Sequence, residues 1–288
     1  MLTVVTCTVA GVALTHRPAP LSMLTALTLL RHDPNRLWDG VSFSGPLLAI
    51  LLSHEMGHYA AARLWHARAS WPVFIPLPVG LGTMGALIHM DAQGQDRRGL
   101  LEIGAGGPLV GFVVACAFLL LGLASSGVKT AEEMGVLVGL GGMVVPESVA
   151  YAVSKWLVFG TLPPDREVVP GPMALAGWFG LYLTWFNLLP YGQLDGGHLA
   201  FSAAPRGARW ISWLVVLGCV GMALLTRSMA WAVVGTGLLL LGALAGTSHP
   251  EMEDVEPPLG ARQWAVLVAC VLVFALCFMP NPLPGPGR

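Results

Sequence analysis

Six stretches of the sequence, residues 41–65, 100–124, 172–190, 210–225, 229–245 and 264–279, are almost uninterruptedly apolar. Each approaches the roughly 17–25 residues that a helix needs to cross the hydrocarbon of a bilayer. Water-soluble folds have no use for so many such stretches, because their helices need a polar face toward solvent. Charged residues make up 11% of the 288 positions, against about 25% in ordinary soluble domains. The expected fold class is an all-α polytopic membrane protein of about six to eight membrane segments, with the lipid bilayer as its first partner.

Composition removes several function classes. Formal net charge is -1 with no basic block, so no nucleic-acid partner is expected. Cys7, Cys116, Cys219, Cys270 and Cys277 are scattered through apolar sequence and form no CxxC pair, which argues against a disulfide framework or a thiolate metal site. Residues 1–14 are apolar but lack the basic start of a secretory signal, and read as a short first membrane segment, with a cleaved signal as the alternative.

One segment breaks the helical pattern. Trp71-Pro72-Val73-Phe74-Ile75-Pro76-Leu77-Pro78 carries three prolines, which no helix interior accommodates. It continues through Gly80, Gly82 and Gly85 to Met90. An apolar, non-helical run of this kind predicts a re-entrant β-hairpin over residues 72–90, tolerated at membrane depth only when it lines a cavity. Residues 134–159, interrupted by Pro146, Glu147 and Lys155, form a weaker apolar stretch that crosses, re-enters or lies at the interface. The acidic, proline-containing residues 247–262 read as a solvated loop. The resulting organisation is an N-terminal membrane segment and loop (1–40), a membrane core (41–205), C-terminal membrane helices (206–280) and a disordered Pro/Gly-rich tail (281–288). Arg63, Arg68, Arg97 and Arg98 flank the hairpin and argue for a cytoplasmic side there, whereas Arg17, Arg31 and Arg36 argue the reverse, so the charge rule does not orient the chain.

The chemistry concentrates in His54-Glu55-Met56-Gly57-His58. Residues i and i+4 share a helix face, so both imidazoles can reach one metal ion, with Glu55 beside it to take a proton. Three ionisable side chains on one turn in lipid need a compensating charge, and Zn²⁺ supplies it. A catalytic zinc commonly uses three protein ligands. Asp195 is the best third candidate, because Pro190 and Gly192 break an apolar span just before it; His198, His89, Glu102 and Glu147 are the alternatives. Glu102 otherwise reads as a helix-start charge, and His89 as a hydrogen-bonded strand residue. Asn187, a lone amide in an apolar helix, either bonds across helices or holds a substrate or transition-state oxygen.

Three blocks taken together resemble the site-2 protease family of intramembrane zinc metalloproteases. They are His54–His58; Gly82-Thr83-Met84-Gly85-Ala86-Leu87-Ile88 with Arg97-Arg98-Gly99-Leu100-Leu101-Glu102-Ile103-Gly104-Ala105-Gly106-Gly107-Pro108-Leu109-Val110-Gly111-Phe112; and Ala176-Gly177-Trp178 through to Asn187–His198. The chain is especially similar to the bacterial and plastid branch without a PDZ insert. The resemblance implies zinc ligands His54, His58 and Asp195, Glu55 as catalytic base, and assistance from Asn187. Many relatives carry an Asn after the Gly-Pro block, where this chain has Gly111. The expected activity is hydrolysis of single-pass membrane substrates, with Gly82, Gly85, Ala86, Leu87 and Ile88 of the hairpin holding an unwound strand. An upstream protease acting first and a bacterial cytoplasmic membrane are further expectations of the resemblance. The competing readings are a metal transporter and a catalytically inactive membrane scaffold.

Overall fold

A computed structural model describes residues 1–15, 23–91, 96–139, 145–246 and 257–282. In chain order these form α1 (Leu2–Thr15), α2 (Met23–His32), α3 (Leu37–Leu64), β1 (Arg68–Ala69), β2 (Val73–Pro76), β3 (Thr83–Leu87), β4 (Met90–Asp91), α4 (Arg97–Ala124), β5 (Gly127–Thr130), α5 (Ala131–Gly139), α6 (Val149–Phe159), β6 (Arg166–Val169), α7 (Pro172–Asn187), α8 (Asp195–Ala203), α9 (Ala208–Thr226), α10 (Met229–Ala245) and α11 (Ala261–Cys277).

Helix boundaries follow local chemistry. Asp96 starts α4 by accepting from the Gly99 N–H at 2.8 Å, and Ser148 starts α6 by accepting from the Tyr151 N–H at 3.2 Å. Both satisfy amides that a helix start leaves unpaired. Pro172 opens α7 at a position where a missing N–H costs nothing. Pro46 and Pro108 lie inside α3 and α4.

The centre of the molecule is the junction of α3, α4 and α7. Phe43, Leu47, Leu101, Leu119, Trp178 and Trp185 are fully buried there. An added Cβ on Gly180 would lie 2.7 Å from Ala115 Cβ and 3.0 Å from Ile50 Cδ1. The three helices therefore meet at a spacing that only a missing side chain allows.

α4 and α9 are long and apolar enough to cross a membrane by length and composition. Outward-facing side chains on α9 include Trp210, Leu214, Leu217 and Leu224, each well exposed, an exterior suited to lipid rather than to water.

Several details differ from the expectation. The fold is predominantly helical, and among the described residues the expected hairpin β2–β3 is joined by two further two-stranded antiparallel sheets, β1–β4 and β5–β6. The expected hairpin is β2–β3, with Val73 opposite Leu87 and a register irregularity at Ile75/Pro76. β1–β4 continues it toward α3 and α4. The third sheet brackets α5 and α6, into which the weak apolar stretch divides. Arg262, read as part of an acidic loop, stands in the first turn of α11. Residues 247–256, and the tail from residue 283 on, lie outside the described residues.

Candidate metal centre

α3 carries the HExxH residues at its middle, and the helical repeat puts His54 and His58 one turn apart on one face. Their Nε2 atoms lie 3.2 Å from each other. The Nδ1–H of His58 donates to the Ile103 carbonyl of α4 at 2.7 Å, which fixes the ring and leaves Nε2 with its lone pair toward the cavity.

What lets α4 come so close is the row Gly104, Gly106, Gly107 and Gly111. A Cβ on Gly57 would fall 2.3 Å from Gly106 O, and one on Gly106 would fall 2.5 Å from Gly57 O. The two backbones are in direct contact. At Gly107 an added Cβ would fall 2.1 Å from His58 Nε2, and at Gly111 3.1 Å from His54 Nδ1. Both imidazoles thus rest on bare α4 backbone. Gly111, the departure from the family pattern, is where the His54 ring sits.

The third donor comes from the break between α7 and α8. α7 ends at Asn187; the chain turns through Pro190 and Gly192, the latter at φ 49°, and α8 begins at Asp195. The turn packs onto Gly196 and Gly197, where an added Cβ would lie 2.1 Å from Leu188 O and from Gly192 O respectively. A carboxylate in a helix's first turn is favoured by the helix dipole. Asp195 reaches His54 Nε2 with Oδ2 at 3.2 Å and His58 Nε2 with Oδ1 at 3.3 Å. Asn187 Nδ2 lies 3.3 Å from His54 Nε2.

These residues fit a zinc ion. Zinc–nitrogen and zinc–oxygen bonds of about 2.0–2.1 Å set the edges of a tetrahedron at about 3.3 Å. The two imidazole Nε2 atoms stand 3.2 Å apart, one such edge, and the Asp195 carboxylate straddles the pair, with Oδ2 3.2 Å from His54 and Oδ1 3.3 Å from His58. Asp195 Oδ2 is buried, and apart from its approach to His54 Nε2 no protein donor reaches it, an arrangement costly for a carboxylate unless a cation completes it. Among the described residues, His54, His58 and Asp195 are the group placed to share one ion.

The alternatives fall elsewhere. Glu102 is buried, not an interfacial helix-start charge. Its carboxylate accepts from Gln263 Nε2 at 2.6 Å, Arg262 Nη2 at 2.7 Å and Trp65 Nε1 at 3.0 Å. Glu147 pairs with Lys155. His89 is exposed, and its backbone N–H donates to Ser70 Oγ. His198 packs beside Gly104 and is not one of the three donors.

The hairpin residues lie close by. Gly82 sits at the turn with φ 84° and Gly85 within β3 at φ 114°. Ala86 is buried and Leu87 exposed. The backbone amide of Ile88, just past β3, lies beside the Glu55 carboxylate. Sequence reasoning did not single out Gly57, Gly106 and Gly107 as builders of the site. The available signal was a Gly-Ala-Gly-Gly run inside a span otherwise made of large apolar residues.

A family model for Peptidase family M50 matches residues 42–212. Among curated proteins, the chain is 28% identical over 250 residues to "Probable zinc metalloprotease EGY2, chloroplastic" of Oryza sativa subsp. indica, covering 86% of this chain and 44% of that protein. It is 29% identical over 297 residues to "Probable zinc metalloprotease EGY1, chloroplastic" of Oryza sativa subsp. japonica, covering 97% and 49%. The EGY1 protein of Arabidopsis thaliana is 29% identical over 246 residues, covering 84% and 44%. The chain spans a little under half the length of these relatives. No solved structure matches it significantly.

Proposed function

The chain belongs to Peptidase family M50, and on that premise we propose that it is a zinc metalloprotease hydrolysing peptide bonds of membrane-spanning proteins within or beside the bilayer. The observation that carries this reading is the convergence of His54, His58 and Asp195, whose ligand atoms lie close enough together to share one ion. His54, His58 and Asp195 would hold the ion. Zinc, when bound in such a site, polarises a carbonyl and makes water acidic enough to attack it.

The remaining work falls to the protein's own groups. Glu55, next to His54 on the same turn, takes a proton from the attacking water on its carboxylate. Water oxygen adds to the peptide carbonyl carbon, the C–N bond breaks, and Glu55 returns the proton to the leaving nitrogen. Ile88 N–H orients the carboxylate for both transfers. Asn187, whose Nδ2 lies 3.3 Å from His54 Nε2, donates to the substrate's carbonyl oxygen in this reading. Residues 82–88 offer the edge of β3 that faces away from β2, where an unwound substrate strand can add by main-chain hydrogen bonds.

Single-pass membrane proteins are the substrates this reading favours, supplied after an upstream protease has made a first cut. A multi-pass topology of about six to eight segments follows from counting α3, α4, α7, α9, α10 and α11 as crossings, with α1 and α6 as the additional candidates. The curated relatives are chloroplastic by name, so the bacterial cytoplasmic membrane draws on the family resemblance and not on them.

Glu55→Gln tests the proposal. The purified variant should keep its zinc and cut a single-pass substrate about 10²–10⁴-fold more slowly than wild type. Zinc flux into proteoliposomes that survives Glu55→Gln would favour a transporter. A zinc-loaded wild type that stabilises no membrane fragment when lost from cells would favour an inactive scaffold.

A further inference from the structure

α1 lies outside the residues matched by the family model, yet the hairpin is built on it. Two close approaches fix α1 to α3. An added Cβ on Gly40 would lie 2.5 Å from Thr8 O, and one on Gly11 2.9 Å from Gly40 O. Between α1 and α3, Thr8 Oγ1 and Ser44 Oγ share a buried hydrogen bond of 2.9 Å. α1 therefore cannot slide along the helix that carries His54, Glu55 and His58.

The hairpin sits on the same helix, one turn nearer the N-terminus. Thr6 Oγ1 donates to the Gly82 carbonyl at 2.6 Å, closer than its in-helix alternatives, Leu2 O at 3.2 Å and Thr3 O at 3.1 Å. Thr3 Oγ1 reaches Phe74 O of β2 at 3.5 Å. Gly82 has two reasons to be glycine. Its φ is 84°, and a Cβ would fall 2.4 Å from Thr6 O and 2.5 Å from Cys7 Cα. From this seat β3 runs along α3 and packs against it. The contacts close a ring: α3 to α1, α1 to the turn, the turn along β3, and back to α3, the helix that carries Glu55.

We infer that α1 is the gauge that sets the register of the bound substrate strand, with Thr6 as its positioning residue through Gly82. The inference rests on the proposed protease reading and on β3 as the strand that receives substrate. A strand advances about 3.3 Å per residue and alternates its faces. A hairpin that drifts by a fraction of that step presents a different carbonyl to Glu55.

The test compares wild type, Thr6→Val and Thr6→Ser with one single-pass substrate, the products being read by mass spectrometry. Thr6→Val should keep its zinc, raise KM about five-fold as one hydrogen bond is lost, and add cuts at neighbouring bonds. Thr6→Ser should restore both KM and the single cut. Hydrogen–deuterium exchange over residues 73–88 should be faster in Thr6→Val and normal in Thr6→Ser. That readout holds whether or not wild type cleaves, so failure of the protease reading is told apart from failure of the gauge. Unchanged exchange in Thr6→Val overturns the inference. So do an unchanged product pattern from an active enzyme, loss of zinc in Thr6→Val, and failure of Thr6→Ser to restore.

Discussion

The tightest constraint on the metal centre is Gly107, and replacing it with alanine tests the geometry at one atom. The new Cβ would stand 2.1 Å from His58 Nε2, 2.5 Å from Cδ2 and 2.7 Å from Cε1. Ordinary contact begins at 3.4 Å, so ring and methyl must separate by 3.4 minus 2.1, or 1.3 Å. The ring cannot swing aside while its Nδ1–H is held by Ile103 O at 2.7 Å. If α3 and α4 part instead, the Gly57–Gly106 backbone contact and the Ile103 bond are both lost. Either route spreads donors that now stand 3.2–3.3 Å apart. Overpacking of this kind costs about 1–3 kcal/mol. Losing the partner that orients a histidine ligand weakens metal binding by about 10–100-fold. A reacting group misplaced by about 1 Å loses about 10²-fold in rate. Gly45→Ala on α3 is the control, because nothing lies within 4 Å of a Cβ there; it should leave zinc binding unchanged and raise helix stability by up to about 1 kcal/mol. The assays are zinc affinity by competition with a chelating dye, thermal unfolding in detergent, and substrate cleavage. A Gly107→Ala protein with wild-type zinc affinity and turnover would refute the account of how α4 builds the site.

Asp195→Ala should lose zinc outright, and Asp195→Asn should bind it at least about ten-fold more weakly, both measured as metal per chain after dialysis. Asn187→Ala should keep zinc but lower kcat by about 10²–10³-fold, the cost of removing one donor to a developing oxyanion; steady-state kinetics with a metal count checks it. Glu102→Ala leaves the buried Gln263 amide and the Trp65 indole without their acceptor, and should lower stability by about 2–3 kcal/mol. Arg262 is 72% exposed and adds little to that loss; thermal unfolding of the zinc-loaded protein is the measurement.

The long helices and the candidate metal donors were legible in the sequence for different reasons. An apolar helix announces itself by length and composition, so α3, α4, α7, α9, α10 and α11 all appear near the apolar stretches, two of them, α4 and α9, long and apolar enough to cross a membrane. His54, Glu55 and His58 are local, and one turn of helix suffices to relate them. Asp195 needed the break at Pro190 and Gly192 to draw the eye, since nothing local states that α8 returns to α3. Glu102 misled because a carboxylate near a helix start is ordinarily solvated, and its three donors come from Trp65, just past the end of α3, and from α11, far apart in sequence. β1, β4, β5 and β6 were missed because two- to four-residue strands carry too little alternation to be read. The same limit hid Thr6, whose partner Gly82 is 76 residues away and contributes only a carbonyl.

A metal centre drawn from several helices has a thermodynamic consequence. One helix can offer two donors on a face, at i and i+4, but the next turn of α3 offers Ala61 and Ala62, and neither can bind a metal. The third donor must therefore come from another element, and it arrives only when the α7–α8 turn is packed. His58 keeps its orientation only while α4 lies against α3 at the Gly57–Gly106 contact. Zinc affinity then reports the assembly of α3, α4, α7 and α8 rather than the formation of α3 alone, and the binding energy is added to the stability of that assembly. An α3 peptide in detergent carrying His54 and His58, but lacking the other three helices, should bind zinc far more weakly than the whole chain. Equal affinity in the two would mean that Asp195 contributes nothing to holding the ion.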